Sequence, residues 1–358
     1  LEYVNGSSEI NEINKSTVLR EIVQELKDQL PQSYDEAWNH PDPKLREMWR
    51  ASIRKELRSL IHVRKVWRTI KRRDIPSGRR CVKSKWVFDI KRSGTFKTRL
   101  VACGYSQIPG VDFTESYAPV INDVCWRILI VIMMVMKLSS RIIDVETAFL
   151  FGDLDEEVYM TCEEVHEEDE ALLLIHAIYG LVQASRQWWI KYVEKLKKIG
   201  FEGGYPDPCL YSRRDEDGVV FLAVWVDDSL LVGDNKAIDK AVKDLRGEGF
   251  VLKEEGSLDD YLSCEITMNG DKTVGWIHQP HLLTKMEKRF KDLLKGLQVY
   301  KTPSAPGGAV IQNHGGPVVD EERHKIYRSG VGMLLYLVKH TRPDIANGVR
   351  ELSKALVG

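Results

Sequence analysis

Three aspartates have the type and spacing needed for chemistry in this chain of 358 residues. Asp144 ends one apolar segment, and Asp227 and Asp228 stand together between two others. Carboxylates placed at strand ends of one mixed sheet can converge, although Asp144 and Asp227 are 83 residues apart. Clustered anionic oxygens suit a pair of Mg²⁺ ions, which would promote in-line displacement at phosphorus in a polymerase or a nuclease. The spacing alone leaves a second interpretation open, in which Asp227-Asp228 is a solvated turn and Asp144 caps a helix.

The elements that must position these aspartates are a mixture of strands and helices without a regular βαβ repeat. Strands are predicted on both sides of a basic turn at 92–95, over 141–145, over 158–160, on both sides of an acidic hairpin tip at 227–228, and over 250–278. Amphipathic helices are predicted over 19–30, 45–60, 183–199, 235–247, 281–294 and the last forty residues, with a buried helix over 126–136. This order favours an α+β fold with an antiparallel sheet.

Charge separates two regions of the chain. Residues 44–99 contain 20 Lys and Arg against 4 Asp and Glu, whereas residues 144–170 contain 12 Asp and Glu and no Lys or Arg. The basic region suits a polyanion and the acidic region suits cations. Solvated helix faces explain either region taken alone, but they explain both together less well.

Composition excludes several classes of protein. Hydrophobic residues make up 43% of the chain and charged residues 29%, which is typical of globular proteins with two or three packed subdomains at this length. The longest apolar run, 128–136, is far shorter than the roughly 20 residues of a membrane span, so no membrane association is predicted. The six cysteines include no C-x-x-C pair, which indicates reduced thiols in an intracellular protein. Because the chain begins at Leu1 without a leader pattern, we expect a piece of a longer polyprotein.

Six segments resemble the copia-type LTR-retrotransposon reverse transcriptase in their order and spacing. They are SKWVFDIK, KTRLVACGYSQIPGVDFTESYAPV, IIDVETAFLFGDLDEEVYM, IYGLVQASRQWW, VWVDD and YLSCEI. The resemblance implies a right-hand polymerase fold with fingers and an antiparallel-sheet palm, followed by a small thumb or connection segment. The implied domains are an N-terminal extension over 1–32, fingers and palm with the start of the thumb over 33–304, and a thumb or connection segment over 305–358. That last segment would lead to a ribonuclease H domain absent from this chain.

The resemblance also implies a metal site. The family's catalytic triad falls on Asp144, Asp227 and Asp228. These carboxylates would hold two Mg²⁺ ions, for which Mn²⁺ can substitute, with the Val145 carbonyl as an additional ligand.

Further residues are implied to contact the nucleotide and the nucleic acid. The dNTP contacts would be Lys91, Arg99, Phe149 and Gln183, and the primer and template contacts would be Leu262, Glu265 and Arg186. Phe149 would lie beneath the sugar, where a 2′-hydroxyl would clash, and a core aromatic is the alternative. The choice between Lys97 and Arg99 as the triphosphate cation stays open.

The implied function is RNA-directed DNA polymerase activity, with an RNA template, a DNA primer and dNTPs as partners. Integrase and ribonuclease H parts of the same polyprotein are further expected partners, in the cytoplasm and in virus-like particles. The sequence departs from the family pattern at a few positions. Cys103, His176 and Val182 replace cations, Ser185 replaces a proline, and Ser263 replaces a glycine. These departures leave an alternative, a diverged and non-catalytic nucleic-acid-binding relic of such a polymerase.

Overall fold

The structure is a computed structural model that describes residues 23, 25–91, 93–255, 258, 261–298, 302–303 and 320–356. The chain forms two compact units. Unit 1 comprises 1–120, 145–202 and 245–251, and unit 2 comprises 121–144, 203–244 and 252–358. Residues 19–22 and 24 of the predicted helix over 19–30, and the predicted boundary at 304, lie outside the described residues. The division into an N-terminal extension, fingers with palm, and thumb therefore stays a prediction.

The described strands form two large sheets and one small sheet. In chain order the strands are β1 (Trp67–Lys71), β2 (Cys81–Ile90), β3 (Phe96–Ala102), β4 (Ser139–Val145), β5 (Asp153–Thr161), β6 (Glu170–His176), β7 (Glu202–Gly203), β8 (Leu210–Asp215), β9 (Gly218–Trp225), β10 (Asp228–Gly233), β11 (Leu252–Glu255), β12 (Glu265–Met268) and β13 (Gly275–His278). A five-stranded sheet has the order β1-β6-β5-β2-β3, and a six-stranded sheet has the order β11-β4-β10-β9-β8-β7. Strand β12 pairs with β13.

Helices alternate irregularly with these strands. They are α1 (Tyr34–Trp38), α2 (Pro43–Arg58), α3 (Asp123–Val135), α4 (Ala184–Lys198), α5 (Asn235–Gly247), α6 (Pro280–Leu294), α7 (Glu321–His340) and α8 (Ala346–Ser353). A short 3₁₀ turn, Ala148–Phe151, follows β4. The α+β class predicted from the sequence is confirmed.

Helix α2 is the main helical support of the β2–β3 hairpin in unit 1. It begins after Asp42, whose side chain accepts hydrogen bonds from two backbone N–H groups of the first turn. Trp49 and Ile53, one turn apart, are buried. The Trp49 ring packs edge-on against Phe88 and Phe96, with centroid distances of 5.3 and 4.4 Å. Aromatic packing of this kind fixes the hairpin against the helix.

The outer edge of β3 is closed by side chains of α2. Among the described strands, β3 pairs with β2 alone, so its other edge would leave backbone groups unpaired. Ser52 donates a hydrogen bond to the Phe96 carbonyl at 3.2 Å, and the Glu56 carboxylate accepts one from the Leu100 N–H at 3.3 Å. Two helix side chains thus replace part of a missing strand.

The six-stranded sheet is apolar along its central strands. Val219, Val220, Leu222, Ala223 and Val224 of β9 are buried, as are Leu230, Leu231 and Val232 of β10. Consecutive buried residues mean that both faces of these strands are covered. Polar residues in this hairpin are therefore concentrated at its turn.

Some predicted elements differ from the observed ones. Helix α3 was predicted to be buried, yet Val124, Ile128, Val131 and Val135 are all more than half exposed. The sequence of α3 is apolar all around, so its pattern does not distinguish the covered face. Strands β1, β6 and β8 were not predicted, because a short run such as that of β6 has no diagnostic period.

Candidate functional site

Two of the predicted metal ligands lie opposite each other in the six-stranded sheet. Antiparallel pairing of β4 with β10 places Asp144 directly across from Asp228. Residues opposed in this way have Cβ atoms about 4.5–5.5 Å apart. On its other side, Asp228 faces Trp225 of β9. The ladder therefore fixes the backbone of Asp228 from both sides.

Asp227 lies in the turn that joins β9 to β10. Because Asp228 already pairs with Trp225, the turn consists of Val226 and Asp227. The prediction of a hairpin tip at Asp227-Asp228 is wrong by one residue, since Asp228 begins β10. Both faces of the flanking strands are apolar, so no alternation of residue types specifies the register.

Two residues near the aspartates have strained backbones. Val226 has a φ of 54°, and Thr147, three residues after Asp144, has a φ of 57°. Such angles are uncommon for β-branched side chains and cost of order 1–3 kcal/mol each. Strain of this kind concentrates at functional sites, where the surrounding structure holds it in place. It marks both the turn of Asp227 and the segment that follows Asp144.

A buried phenol lies in the neighbourhood of Asp228. Tyr261 is 1% exposed, and its ring packs edge-on against Trp126 at a centroid distance of 6.0 Å. Burial raises the pKa of Tyr261, and the negative charge of Asp228 raises it further. The phenol is therefore protonated at neutral pH, and its buried hydroxyl has no hydrogen-bond partner among the described residues.

The carboxylates of the three aspartates are not gathered into a ligand set. Within the described part of the chain, no three His, Cys, Asp or Glu side chains are grouped closely enough to hold a metal ion. The backbone places Asp144 beside Asp228, with Asp227 adjacent in the chain, and the metal site stays a prediction. Like charges oppose convergence of the three side chains when no cation is bound. Val145, the last residue of β4, is 1% exposed, and its carbonyl stays a predicted ligand.

The predicted triphosphate cations lie on the β2–β3 hairpin of unit 1. In its ladder Arg99 faces Val87, and Lys97 faces Asp89. Lys91 lies just beyond the end of β2, where its backbone N–H donates to the Thr95 carbonyl at 2.9 Å and closes the turn. The hairpin therefore carries cations both on β3 and at its turn.

Glu56 is a candidate functional residue that the sequence analysis missed. Burial raises the pKa of Glu56 to about 7, although the hydrogen bond from Leu100 and the positive charges of Arg99 and Lys97 act to lower it. A group that titrates near neutral pH thus lies beside the predicted triphosphate cations. The sequence carries no signal for this, because Glu56 contacts a residue 44 positions away.

Phe149 occupies the 3₁₀ turn after β4 and is half-buried. Its ring contacts Tyr179 edge-on, with a centroid distance of 5.4 Å and an interplanar angle of 60°. It also packs against the hydrophobic core of unit 1. The ring is therefore partly core and partly accessible, and its contact with a sugar stays a prediction.

Two other predicted contacts are engaged within unit 1. Gln183 is 1% exposed, and its amide donates to the Asp112 carbonyl at 2.9 Å while accepting from Gln107 at 3.0 Å. This amide supports the loop that contains Asp112, which leaves it no open path to a nucleotide. The guanidinium of Arg186 forms an ion pair with Glu115, so a template strand would have to compete for it.

The predicted primer contacts lie at a tight turn that leads into β12. Leu262 and Ser263 have φ values of 53° and 59°, a region that favours glycine. Tyr336 of α7 donates a hydrogen bond to the Leu262 carbonyl at 3.1 Å. Glu265, half-buried, is the first residue of β12. The serine that replaces the family's glycine is therefore a strained departure, and α7 braces the turn.

Comparison with known proteins identifies the family. Residues 64–293 match the family model described as reverse transcriptase (RNA-dependent DNA polymerase). The chain belongs to this family. The predicted resemblance to a copia-type reverse transcriptase is confirmed, and the α+β architecture is consistent with a polymerase fold.

Relatives of this reverse transcriptase include Pol polyproteins of plant transposons. The retrovirus-related Pol polyprotein from transposon TNT 1-94 of Nicotiana tabacum is 32% identical, over 92% of this chain and 25% of the polyprotein. The corresponding polyprotein from transposon RE2 of Arabidopsis thaliana is 29% identical, over 75% of this chain and 19% of the polyprotein. The chain thus spans a quarter or less of the length of these relatives. A solved structure of the foamy viral protease-reverse transcriptase in complex with double-stranded DNA has a TM-score of 0.42 and 14% identity, over 85% of this chain and 43% of that chain.

Departures of this reverse transcriptase from the family pattern lie in different surroundings. Cys103, which replaces a cation, is 5% exposed, and its N–H donates to the Lys83 carbonyl at 2.7 Å. His176, at another such position, pairs with Asp153 at 3.0 Å. All six cysteines lie in the described part of the chain, where none forms a disulfide bond. Among the described helices, none is long and apolar enough to cross a membrane.

Proposed function

We propose that the chain is an RNA-directed DNA polymerase that transfers a nucleotide from a dNTP to a primer 3′-hydroxyl on an RNA or DNA template. The observation that carries the proposal is the cross-strand pairing of Asp144 with Asp228, next to Asp227 in the turn. Membership of the reverse transcriptase family supports the same assignment. The strained backbone at Val226 adds independent support, because strain persists where function requires a particular geometry.

The aspartates fit divalent metal ions in the chemistry of their donors. Mg²⁺ prefers hard anionic oxygens and is usually held by one or two carboxylates together with substrate phosphates. Asp144, Asp227 and Asp228 would hold two Mg²⁺ or Mn²⁺ ions, with the Val145 carbonyl as an additional ligand. Bound ions would neutralise charge on the phosphates and activate the attacking oxygen. The side chains of the three aspartates would have to turn toward one another, and a cation removes the repulsion that opposes this movement.

Arg99 is the better candidate of the two β3 cations for the triphosphate. Lys97 stands opposite the acidic residue Asp89 in the ladder, whereas Arg99 stands opposite the apolar Val87. A guanidinium can also form two parallel hydrogen bonds with phosphate oxygens. Lys91, at the hairpin turn, would supply a second cation.

Three further groups would orient the substrates. The half-buried ring of Phe149 would exclude a 2′-hydroxyl by direct contact. Gln183 would act indirectly, through the loop that its amide supports. Leu262 and Glu265 would position the primer end, and Arg186 would contact the template after leaving Glu115.

Other parts of a polyprotein would complete the activity. The relatives named above are Pol polyproteins, which suggests that integrase and ribonuclease H segments act with this chain. We place this work in the cytoplasm and in virus-like particles.

A non-catalytic relic that retains nucleic acid is the second candidate function. It is favoured by the buried Cys103 at a position where the family has a cation, and by the ion pair that engages Arg186. The basic region over 44–99 would then bind duplex without extending it.

One assay separates these functions from a nuclease. Labelled primer on an RNA template is incubated with the chain and dNTPs, in Mg²⁺, in Mn²⁺ and with chelator. The proposal expects metal-dependent extension, a relic gives only retention of the duplex, and a nuclease gives cleavage. Glu216→Gln, an exposed carboxylate of unit 2 outside the candidate site, is the matched control for Asp227→Asn. Extension that persists in the chelator, or equally in Asp227→Asn, would contradict the metal assignment.

A further inference from the structure

The backbone of Tyr179 is held against the outer edge of β3. Its carbonyl accepts a hydrogen bond from the Ala102 N–H at 2.8 Å. Gly180, which follows, has a φ of 87°, and a Cβ there would overlap the Ala102 carbonyl. Only glycine fits so close an approach in this conformation. The main chain at Tyr179 therefore has a fixed position relative to β3.

The ring of Tyr179 contacts two residues that the proposed function assigns to different parts of one nucleotide. The Arg99 guanidinium lies over the ring, with Cζ 4.6 Å from the centroid. Phe149 meets the same ring edge-on at 5.4 Å. Arg99 is the candidate for the triphosphate, and Phe149 is the candidate for the sugar. Tyr179 is itself half-buried.

We propose that Tyr179 is a positioning residue that couples selection of the sugar by Phe149 to binding of the triphosphate by Arg99. The inference rests on the proposed function. An aromatic ring orients a guanidinium by cation–π attraction and orients a second ring by edge-to-face contact. A shift of Arg99 toward a phosphate is therefore transmitted to Phe149 through one rigid group. Arg99 then influences the choice between deoxynucleotide and ribonucleotide without touching the sugar.

The test uses variants of the full chain that separate ring, hydroxyl and charge. Tyr179→Leu removes the ring, Tyr179→Phe keeps it, and Arg99→Gln removes the charge. For each variant, kcat and KM are measured for a dNTP and for the matching ribonucleotide. Tyr205→Leu, at a tyrosine that is 92% exposed in unit 2, is the matched control. Thermal unfolding confirms that each variant is folded.

Tyr179→Leu is expected to raise the KM for the dNTP about three- to tenfold and to lower discrimination against ribonucleotides by a similar factor. Tyr179→Phe should recover most of both losses, which simple loss of packing volume does not explain. Arg99→Gln should lower discrimination in the wild-type background but not in Tyr179→Leu. Such non-additivity is the signature of coupling through a shared contact.

The inference is overturned if Tyr179→Leu leaves discrimination unchanged, or if Arg99→Gln has the same effect on discrimination in both backgrounds. If the Tyr179→Leu chain does not fold, the test is a double-mutant cycle that combines Arg99→Gln with Phe149→Leu. In that cycle additive effects overturn the inference. If the wild-type chain extends no primer, the proposed function fails separately. In that case the affinities of the same variants for dGTP and for GTP are compared by calorimetric titration. Variants that change the two affinities by the same factor also overturn the inference.

Discussion

The acidic hairpin of unit 2 and the basic hairpin of unit 1 hold their charged residues in different ways. In unit 2, β10 pairs on one side with β9 and on the other with β4, so the Asp228 backbone is part of a ladder in both directions. In the described part of unit 1, β3 pairs with β2 alone. Its outer edge is closed by side chains of α2, namely those of Ser52 and Glu56.

This difference corresponds to what the proposed function requires each hairpin to bind. Metal ligands need positions fixed to a fraction of an ångström, and elements paired on both sides provide that more reliably than loops. A triphosphate is larger and flexible, and the cations that neutralise it tolerate some movement. The position of an edge strand can shift when one of its hydrogen bonds is made to a titratable helix side chain, as β3 makes to Glu56. The acidic hairpin of unit 2 is accordingly held more rigidly than the basic hairpin of unit 1.

The largest expected effect is the loss of extension in Asp144→Asn and in Asp227→Asn. Each change removes an anionic ligand without altering size, and we expect extension to fall by at least about 10³-fold. The metal-free protein should unfold at the same temperature or a higher one, because repulsion between carboxylates is reduced. Extension rates and thermal unfolding in chelator are the measurements. A variant that loses activity by unfolding would instead make these aspartates structural.

A strong salt dependence of duplex binding is the second expectation. Release of counterions by the basic region over 44–99 gives a slope of log affinity against log salt of roughly −4 to −5, if four to six phosphates are contacted. Asp227→Asn, in the acidic hairpin, should leave that slope unchanged. Binding titrations at salt concentrations from about 50 to 200 mM measure the slope for the wild type and for the variant. A slope near zero would mean that the basic region over 44–99 does not bind the duplex.

The third expectation is that Glu56 makes stability depend on pH. Its pKa is raised from an ordinary value of 4.5 to about 7 in the folded chain, so the folded state retains a proton that the unfolded state has lost between these values. The free energy of unfolding therefore falls as pH rises through this window. Glu56→Gln removes the fall and should be more stable than the wild type at pH 8 by roughly 2–3 kcal/mol, and similar to it at pH 4.

Denaturant unfolding at both pH values checks the Glu56 prediction. Glu47→Gln, an exposed carboxylate of the same helix paired with Arg54, is the matched control. An equal difference from wild type at pH 4 and pH 8 would show that Glu56 does not titrate in this range.

The smallest expected effect concerns the hydrogen bond from Ser52 to the Phe96 carbonyl at the edge of β3. Ser52→Ala removes the donor to the Phe96 carbonyl and should cost about 1 kcal/mol of stability. Ser93→Ala, in the turn of the same hairpin, should stay within about 0.5 kcal/mol of wild type because its hydroxyl is exposed. Equal effects of the two changes would mean that α2 does not hold the edge of β3.

Sequence reasoning predicted the acidic hairpin well because its signals are local. Two apolar runs and an acidic pair specify two buried strands with carboxylates at one end. The register was the part that could not be predicted, since β9 and β10 are apolar on both faces and a shift of one residue leaves their pattern unchanged. Whether Asp228 lies in the turn or in the ladder depends on its partners in β4 and β9.

The basic hairpin was predicted less completely because residues far away in the sequence hold it in position. The strands and the cations followed from alternation and from the family resemblance. Glu56 and Tyr179 did not, since their contacts join helix to strand, and turn to strand, across long stretches of chain. The burial of Gln183 belongs to the same class, because its amide partners lie in a loop more than seventy residues away.

The central claim is that Asp228, fixed opposite Asp144, holds metal ions for extension of a primer on RNA. Its most direct test is the rate of primer extension as a function of Mg²⁺ concentration for the wild-type chain and for Asp228→Asn. We expect extension by the wild type to rise with Mg²⁺ concentration and to saturate. We also expect Asp228→Asn to retain the duplex with wild-type affinity but to extend no primer at any Mg²⁺ concentration. Extension by Asp228→Asn at the wild-type rate, or by the wild type without a divalent ion, would contradict the claim.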